Sequence, residues 1–208
     1  MELILTLVSG LAWTIVYVVA IRIGFRDRTY AMPAAALALN LAWEWIYGIH
    51  GLTGDISVQT AINLIWGLFD VLILVTFLRF GRRELPEFVG RAMFAAWAVA
   101  LLAMGFTVQG LFVVEFGWFD GARYSAFLQN LLMSVLFIAL FVARRGDRGQ
   151  SVVIAAAKWI GTLAPTLLFG ALAGSAFILG IGLLCGAFDL AYLGLLIWWA
   201  RRRTAAPL

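Results

Sequence analysis

Three carboxylic acids stand inside long apolar stretches of this chain: Glu44, Asp70 and Asp189. An acid in hydrocarbon costs roughly 2.5–3.5 kcal/mol on insertion scales, so such residues mark functional sites by default. Each has companions at helical spacing. Asn40, Glu44 and Tyr47 run i, i+4, i+7; Asn63, Trp66 and Asp70 run i, i+3, i+7; Cys185, Asp189 and Tyr192 run i, i+4, i+7. Residues at these spacings share one face of a helix. Acids that avoid lipid must point inward, so the three stripes are expected to face a common interior. Counted along their segments, Asp70 and Asp189 fall near mid-membrane, and Glu44 lies between the midplane and one face.

An acid in such surroundings can keep its proton at neutral pH and act as a general acid. One chemistry suits it: protonation of an alkene or epoxide, followed by shielding of the carbocation. Faces of Trp, Tyr and Phe stabilise a cation by about 0.5–2 kcal/mol each. Candidate wall residues are Trp43, Tyr47, Trp66, Phe69, Phe127 and Phe188, with Trp45 and Tyr192 beside them. Asp70, Asn40, Asn63, Asn130 and Tyr192 are candidates for positioning the acids. The plainer alternative is that the acids only join helices, through bonds worth about 0.6 kcal/mol each. It accounts for one acid more easily than for three. For Asn130 and Ser134, at i, i+4, helix stitching is the favoured role. Glu115, Asp120 and Arg123 are expected to be solvated, as is His50, and Lys158 is expected near a helix end, where it can snorkel.

The elements that carry these residues follow from composition. The chain is 64% hydrophobic and 12% charged over 208 residues, against about 45–50% and about 25% in soluble domains. It reads as an integral membrane protein of a single domain, 1–203, with a short disordered tail, 204–208. A net charge of +4 gathered beside apolar segments points to the bilayer and not to nucleic acid. One cysteine and one histidine exclude an internal disulfide and Cys- or His-based metal sites. Leu3 to Ile21 lacks a preceding basic region and reads as a retained first helix.

Seven segments reach the roughly 20 apolar residues a spanning helix needs: Leu3–Ile23, Tyr30–Ile49, Ser57–Leu78, Ala92–Val114, Tyr124–Ala143, and two more between Val152 and Ala200. The last pair divides near Ala171–Ser175. Small-residue pairs Gly170/Gly174 and Gly182/Gly186 have the spacing of helix contacts. With seven spans, 14 of the 15 basic residues lie on one face, all but Arg123. The positive-inside rule makes that face cytoplasmic and puts the N-terminus outside.

Taken together, the motifs resemble those of the small integral-membrane terpene cyclases of fungal meroterpenoid and indole-diterpene pathways and their bacterial indole-sesquiterpene relatives. The resemblance is carried by Asn40 with Trp43-Glu44-Trp45-Ile46-Tyr47 and by Trp66-Gly67-Leu68-Phe69-Asp70. It continues through Gln129-Asn130 with Ser134, Lys158-Trp159-Ile160-Gly161-Thr162, and Cys185 with Asp189 and Tyr192. It implies a seven-helix, metal-independent, cofactor-free cyclase of lyase or isomerase type. Its two essential acids correspond to Glu44 and Asp189, with the proton donor between them left open. The chain length suits the bacterial branch and its inner membrane, and implies a lipophilic substrate, a farnesyl chain on an indole or similar group. A proton- or cation-coupled transporter or receptor is the competing reading. Against it, the chain has neither a two-half repeat nor a mid-helix lysine in its last span.

Overall fold

The computed structural model describes residues 1–54 and 56–205, and among them it is helical with no strand. Helix α1 spans Glu2–Asp27 and stops where Arg28 turns left-handed (φ 51°), its next amide, Thr29 N–H, bonding back to the Gly24 carbonyl at 3.0 Å. That six-to-one bond satisfies a carbonyl the helix end would leave orphaned. Helix α2, Ala34–Gly51, starts later than the expected Tyr30 because Pro33 holds the residues before it out of helical geometry. Helix α3, Val58–Phe80, opens with a reciprocal cap. Ser57 Oγ accepts from Thr60 N–H (3.1 Å), and Thr60 Oγ1 accepts from Ser57 N–H (3.3 Å). A 3₁₀ turn, Gly81–Glu84, follows.

The fourth and fifth expected segments form one element, α4, Arg91–Arg144, interrupted at Gly117. There φ is 73° and ψ 178°, a region essentially reserved for glycine. The chain doubles back at that point. Gln109 bonds Gln129 at 2.6 Å, and the rings of Phe116 and Tyr124 meet edge-on at 5.4 Å. Helix α5, Val152–Pro165, runs into a π-helical segment, Thr166–Leu172. Pro165 lacks an amide hydrogen, and the wider turn absorbs the mismatch. The chain turns at 173–175, where Gly174 has φ 76°, and α6 runs Ala176–Ala205. Gly170 and Gly182, two of the four expected small-residue contacts, press the π segment onto α6 at Leu179 and Thr166. Thr204 stands in the last turn of α6; residues 206–208, the rest of the expected tail, lie outside the described residues.

The six helices close a ring: α1 packs on α3, α3 on α2, α2 on α4, α4 on α6, α6 on α5, and α5 on α1. Five of them are long and apolar enough to cross a membrane. The exception is α2, whose polar and aromatic residues dilute its hydropathy and whose side chains are mostly buried in the ring. Large apolar side chains such as Leu3, Leu11, Leu111, Val114 and Leu183 face outward, as a lipid-facing surface requires.

Arginines tie one end of the ring together. Arg144 bonds Glu84 (2.7 Å) and the Tyr30 carbonyl (2.9 Å), Arg203 bonds Asp147 (2.6 Å), and Arg148 reaches the carbonyls of Asp27 and Arg28. Lys158 is absent from this end, contrary to expectation. It is wholly buried, because it sits six residues, about 9 Å, inside α5 on the helix face that carries Ile154, Ala155 and Thr162.

Candidate active site

A cavity of about 440 Å³ opens within the ring, inside the range of about 300–1,000 Å³ usual for small-molecule sites. Helix α1 supplies Thr6, Ser9, Trp13 and Tyr17; α2 supplies Asn40, Trp43, Glu44 and Tyr47. Helix α3 supplies Asn63 and Trp66, α4 supplies Phe127, Gln129 and Asn130, and α5 supplies Thr162. Two indoles are held in place by their N–H groups. Trp43 donates to the Ala122 carbonyl (2.9 Å) and Trp66 to Thr14 Oγ1 (3.1 Å).

Glu44 is 2% exposed and faces this cavity. Its Oε1 accepts from Tyr17 O–H at 3.3 Å, while its Oε2 is buried without a hydrogen-bond partner. Tyr17 O in turn accepts from Asn40 Nδ2 (2.5 Å), which also donates to Asp70 Oδ2 (2.8 Å). Gln129 Nε2 donates to Asn40 Oδ1 (3.1 Å), and Gln109 Nε2 donates to Gln129 Oε1 (2.6 Å). A chain of amides and one phenol thus joins four helices and two carboxyls, Glu44 and Asp70. Among the described residues neither Glu44 nor Asp70 has a cationic partner.

Asp189 is placed differently from the expectation of a shared chamber. It lies on α6, which contributes nothing to the cavity wall, and it is 1% exposed. Lys158 Nζ binds both its oxygens, at 2.7 and 2.9 Å, and also donates to Ser134 Oγ at 2.6 Å. The expectation that Lys158 snorkels from a helix end therefore fails. The pair stands one layer behind the cavity: Ser134 O–H bonds the Asn130 carbonyl, and Asn130 Nδ2 bonds Thr162 Oγ1 (2.8 Å), both of these last two residues lining the wall. The Lys158 ammonium is 6.0 Å from the ring centre of Trp13, another wall residue.

Of the other expected residues, Asn40, Asn63, Asn130, Trp43, Tyr47, Trp66 and Phe127 line the cavity. Asp70 is fully buried behind Asn40, and Phe69 packs on Tyr17 (6.0 Å) instead of reaching the cavity. Phe188 is 37% exposed on the outside of α6, because that helix turns Asp189 inward and carries its neighbour away. Tyr192 is buried against Phe137 (5.2 Å), and its hydroxyl bonds no acid. Arg123 and His50, expected to be solvated, are half-buried, with His50 stacked on Trp118 at 3.6 Å.

Tyr17, Trp13 and Gln109 escaped the sequence reading, and Thr162 entered it only as the end of a motif. For α1 a signal was present: Thr6, Ser9, Trp13 and Tyr17 recur every three to four residues in an otherwise aliphatic helix, which marks one inward face.

A family model, Pyr4-like transmembrane terpene cyclases, matches residues 1–202. The Pyr4-family terpene cyclase mfmH of Annulohypoxylon moriforme is 27% identical over 79% of this chain and 68% of its own length. The terpene cyclase pyr4 of Aspergillus fumigatus is 25% identical over 95% of this chain and 86% of its own. The terpene cyclase macJ of Penicillium terrestre is 27% identical over 79% of this chain and 64% of its own. No solved structure matches the chain.

Proposed function

Because the chain belongs to the Pyr4-like transmembrane terpene cyclases, we propose that it is an acid-initiated, metal-independent cyclase whose proton donor is Glu44. The observation that supports this most is Glu44 itself, a buried carboxyl with one oxygen unpartnered, lining an aromatic cavity. An isolated carboxylate there is expensive to keep charged. With Oε1 accepting from Tyr17, the proton resides on Oε2. The Oε2–H bond breaks as its proton adds to the terminal alkene of a prenyl chain, leaving a tertiary carbocation and the Glu44 carboxylate. Internal alkenes then close rings in turn. A proton passes from the last cation to a water molecule, which ends the sequence, and a solvent proton returns to the Glu44 carboxylate. The net change is an isomerisation.

The rings of Trp13, Tyr17, Trp43, Trp66 and Phe127 shield the successive cations, and their packing keeps water from ending the sequence early. Asp189 acts as a positioning residue. Paired with Lys158, it holds Ser134 and, through it, the Asn130–Thr162 wall. The substrate is a farnesyl chain on an indole or related precursor. The location proposed for the protein is a bacterial inner membrane.

Counting α2 as a span despite its lower hydropathy, and the two arms of α4, residues 91–116 and 118–144, separately, makes seven. All the basic residues but Lys158 and Arg123 then gather at one end, which is cytoplasmic by the positive-inside rule, with the N-terminus outside. The test is incubation of membranes bearing the protein with a farnesylated indole in the presence of EDTA. A new isomer of unchanged mass is expected. A requirement for added magnesium would overturn the metal-free mechanism. Ion or solute flux in liposomes with no product would point instead to a transporter.

A further inference from the structure

Among the described residues the Tyr17 hydroxyl is the one hydrogen-bond donor to Glu44, and the direction of that bond is set away from the cavity. A phenol can donate or accept, so Tyr17 turns its hydrogen to Glu44 when its other neighbour donates to it. The order starts at Gln109, on the first arm of α4. Its Nε2 lies 3.3 Å from the Leu39 carbonyl, and a backbone carbonyl only accepts. Gln109 therefore presents NH₂ there, and the same NH₂ meets Gln129 Oε1 at 2.6 Å. Gln129 is left with its own NH₂ toward Asn40 Oδ1 (3.1 Å). Asn40 in turn shows its NH₂ to Tyr17 O (2.5 Å) and to Asp70 Oδ2 (2.8 Å). With a lone pair of the phenol so occupied, its hydrogen goes to Glu44. Turning one amide over sets like against like, and turning all three sets the Gln109 carbonyl against that of Leu39. The chain has one polarity, and it ends on the acid.

That last bond is slack. At 3.3 Å it exceeds the roughly 2.7–2.8 Å usual for O–H···O, as suits an uncharged acceptor. Once the acid has given its proton to the alkene, a carboxylate is left in an apolar wall with no cationic partner among the described residues. Hydrogen bonds to an ionised acceptor are shorter and about twice as strong. A contact that strengthens as charge develops lowers the barrier, where one of constant strength would only tighten binding. Resting on the cyclase reading above, we propose that Tyr17 is a positioning residue of the reaction. Its hydroxyl, aimed by the Gln109–Gln129–Asn40 chain, holds the Glu44 carboxylate that forms on proton transfer.

The test is Tyr17→Phe. It keeps the ring, and with it the packing on Trp66 (5.6 Å) and Phe69 (6.0 Å), and removes only the hydroxyl. With a farnesylated indole, kcat is expected to fall about 10- to 100-fold, the scale of one hydrogen bond to a charged group, with substrate affinity and product unchanged. A full kcat overturns the assignment, as does a loss confined to affinity. Infrared difference spectroscopy adds a readout that packing alone would not move. The C=O stretch of protonated Glu44 is the band lost in Glu44→Gln. In Tyr17→Phe that band is expected at higher wavenumber, because the carbonyl no longer accepts; an unmoved band overturns the assignment. The unsubstituted protein tests it with no change at Tyr17, since a Glu44 band at the position of a carboxyl that accepts no hydrogen bond overturns it too. The two readings fail separately. A band that moves as expected in a protein that cyclises nothing sinks the cyclase reading and leaves the aimed hydroxyl. Cyclisation at full rate by Tyr17→Phe, with its band unmoved, does the reverse.

Discussion

Replacing Glu44 by Gln is expected to lower the rate of cyclisation by about 10²–10⁴-fold, the usual contribution of a positioned general acid. The substitution changes little else. Glutamine has nearly the shape of glutamic acid, and its carbonyl oxygen can still accept from Tyr17 O–H, now 3.3 Å from Oε1. The NH₂ group would take the place of Oε2, which is buried and bonds nothing, so no existing hydrogen bond is lost. An amide cannot protonate an alkene. Substrate affinity should therefore stay close to that of the unsubstituted protein while kcat collapses, the mark of an interaction made only in the transition state. Normal turnover in this variant would remove Glu44 from the role given to it.

The second large effect is expected on stability, at the pair behind the wall. Lys158 and Asp189 are 0% and 1% exposed, and their charges meet at 2.7 Å. Breaking a buried pair by removing one partner leaves an uncompensated charge and costs about 3–5 kcal/mol. Lys158→Met and Asp189→Asn should each lower the thermal midpoint in detergent sharply. The double variant replaces both charges and should recover most of the loss, because a well-packed neutral pair often matches a buried ionic one. The comparison has a functional side. If Asp189 only positions the wall, the double variant regains part of its turnover along with its stability. If it regains stability and remains inactive, Asp189 takes part in the chemistry more directly than through Ser134 and Asn130.

That pair also shows where sequence reading stops. The helices of this chain are legible because lipid requires long apolar runs and internal backbone bonding. Local signals set the details: Pro33 delays α2, and Ser57 with Thr60 caps α3. The inward stripe of α2 was equally legible, since Glu44 is intolerable in lipid and brings Asn40 and Tyr47 with it. Lys158 was misread because a lysine near a helix end can reach water, and only the packing of α5 against α6 decides that it does not. Asp189 points inward as expected, yet whether an inward acid meets a cavity or a lysine depends on the neighbouring helix. Phe188 and Phe69 followed their acids in sequence and not in space, because adjacent residues on a helix point about 100° apart. The stripe on α1 marks Tyr17 as inward-facing but not what it meets. Its hydroxyl bonds two residues of the next helix, Asn40 and Glu44, and nothing local to α1 names them.

The account rests on a proton passing from Glu44 to carbon, and cyclisation in D₂O reads that step directly. The product formed by the unsubstituted protein is expected to carry a single deuterium on the carbon at the terminal alkene of the prenyl chain. It should be one mass unit heavier than the product made in H₂O. A cyclic product formed in D₂O with no deuterium on carbon would contradict the mechanism, whatever the effect of changing Glu44.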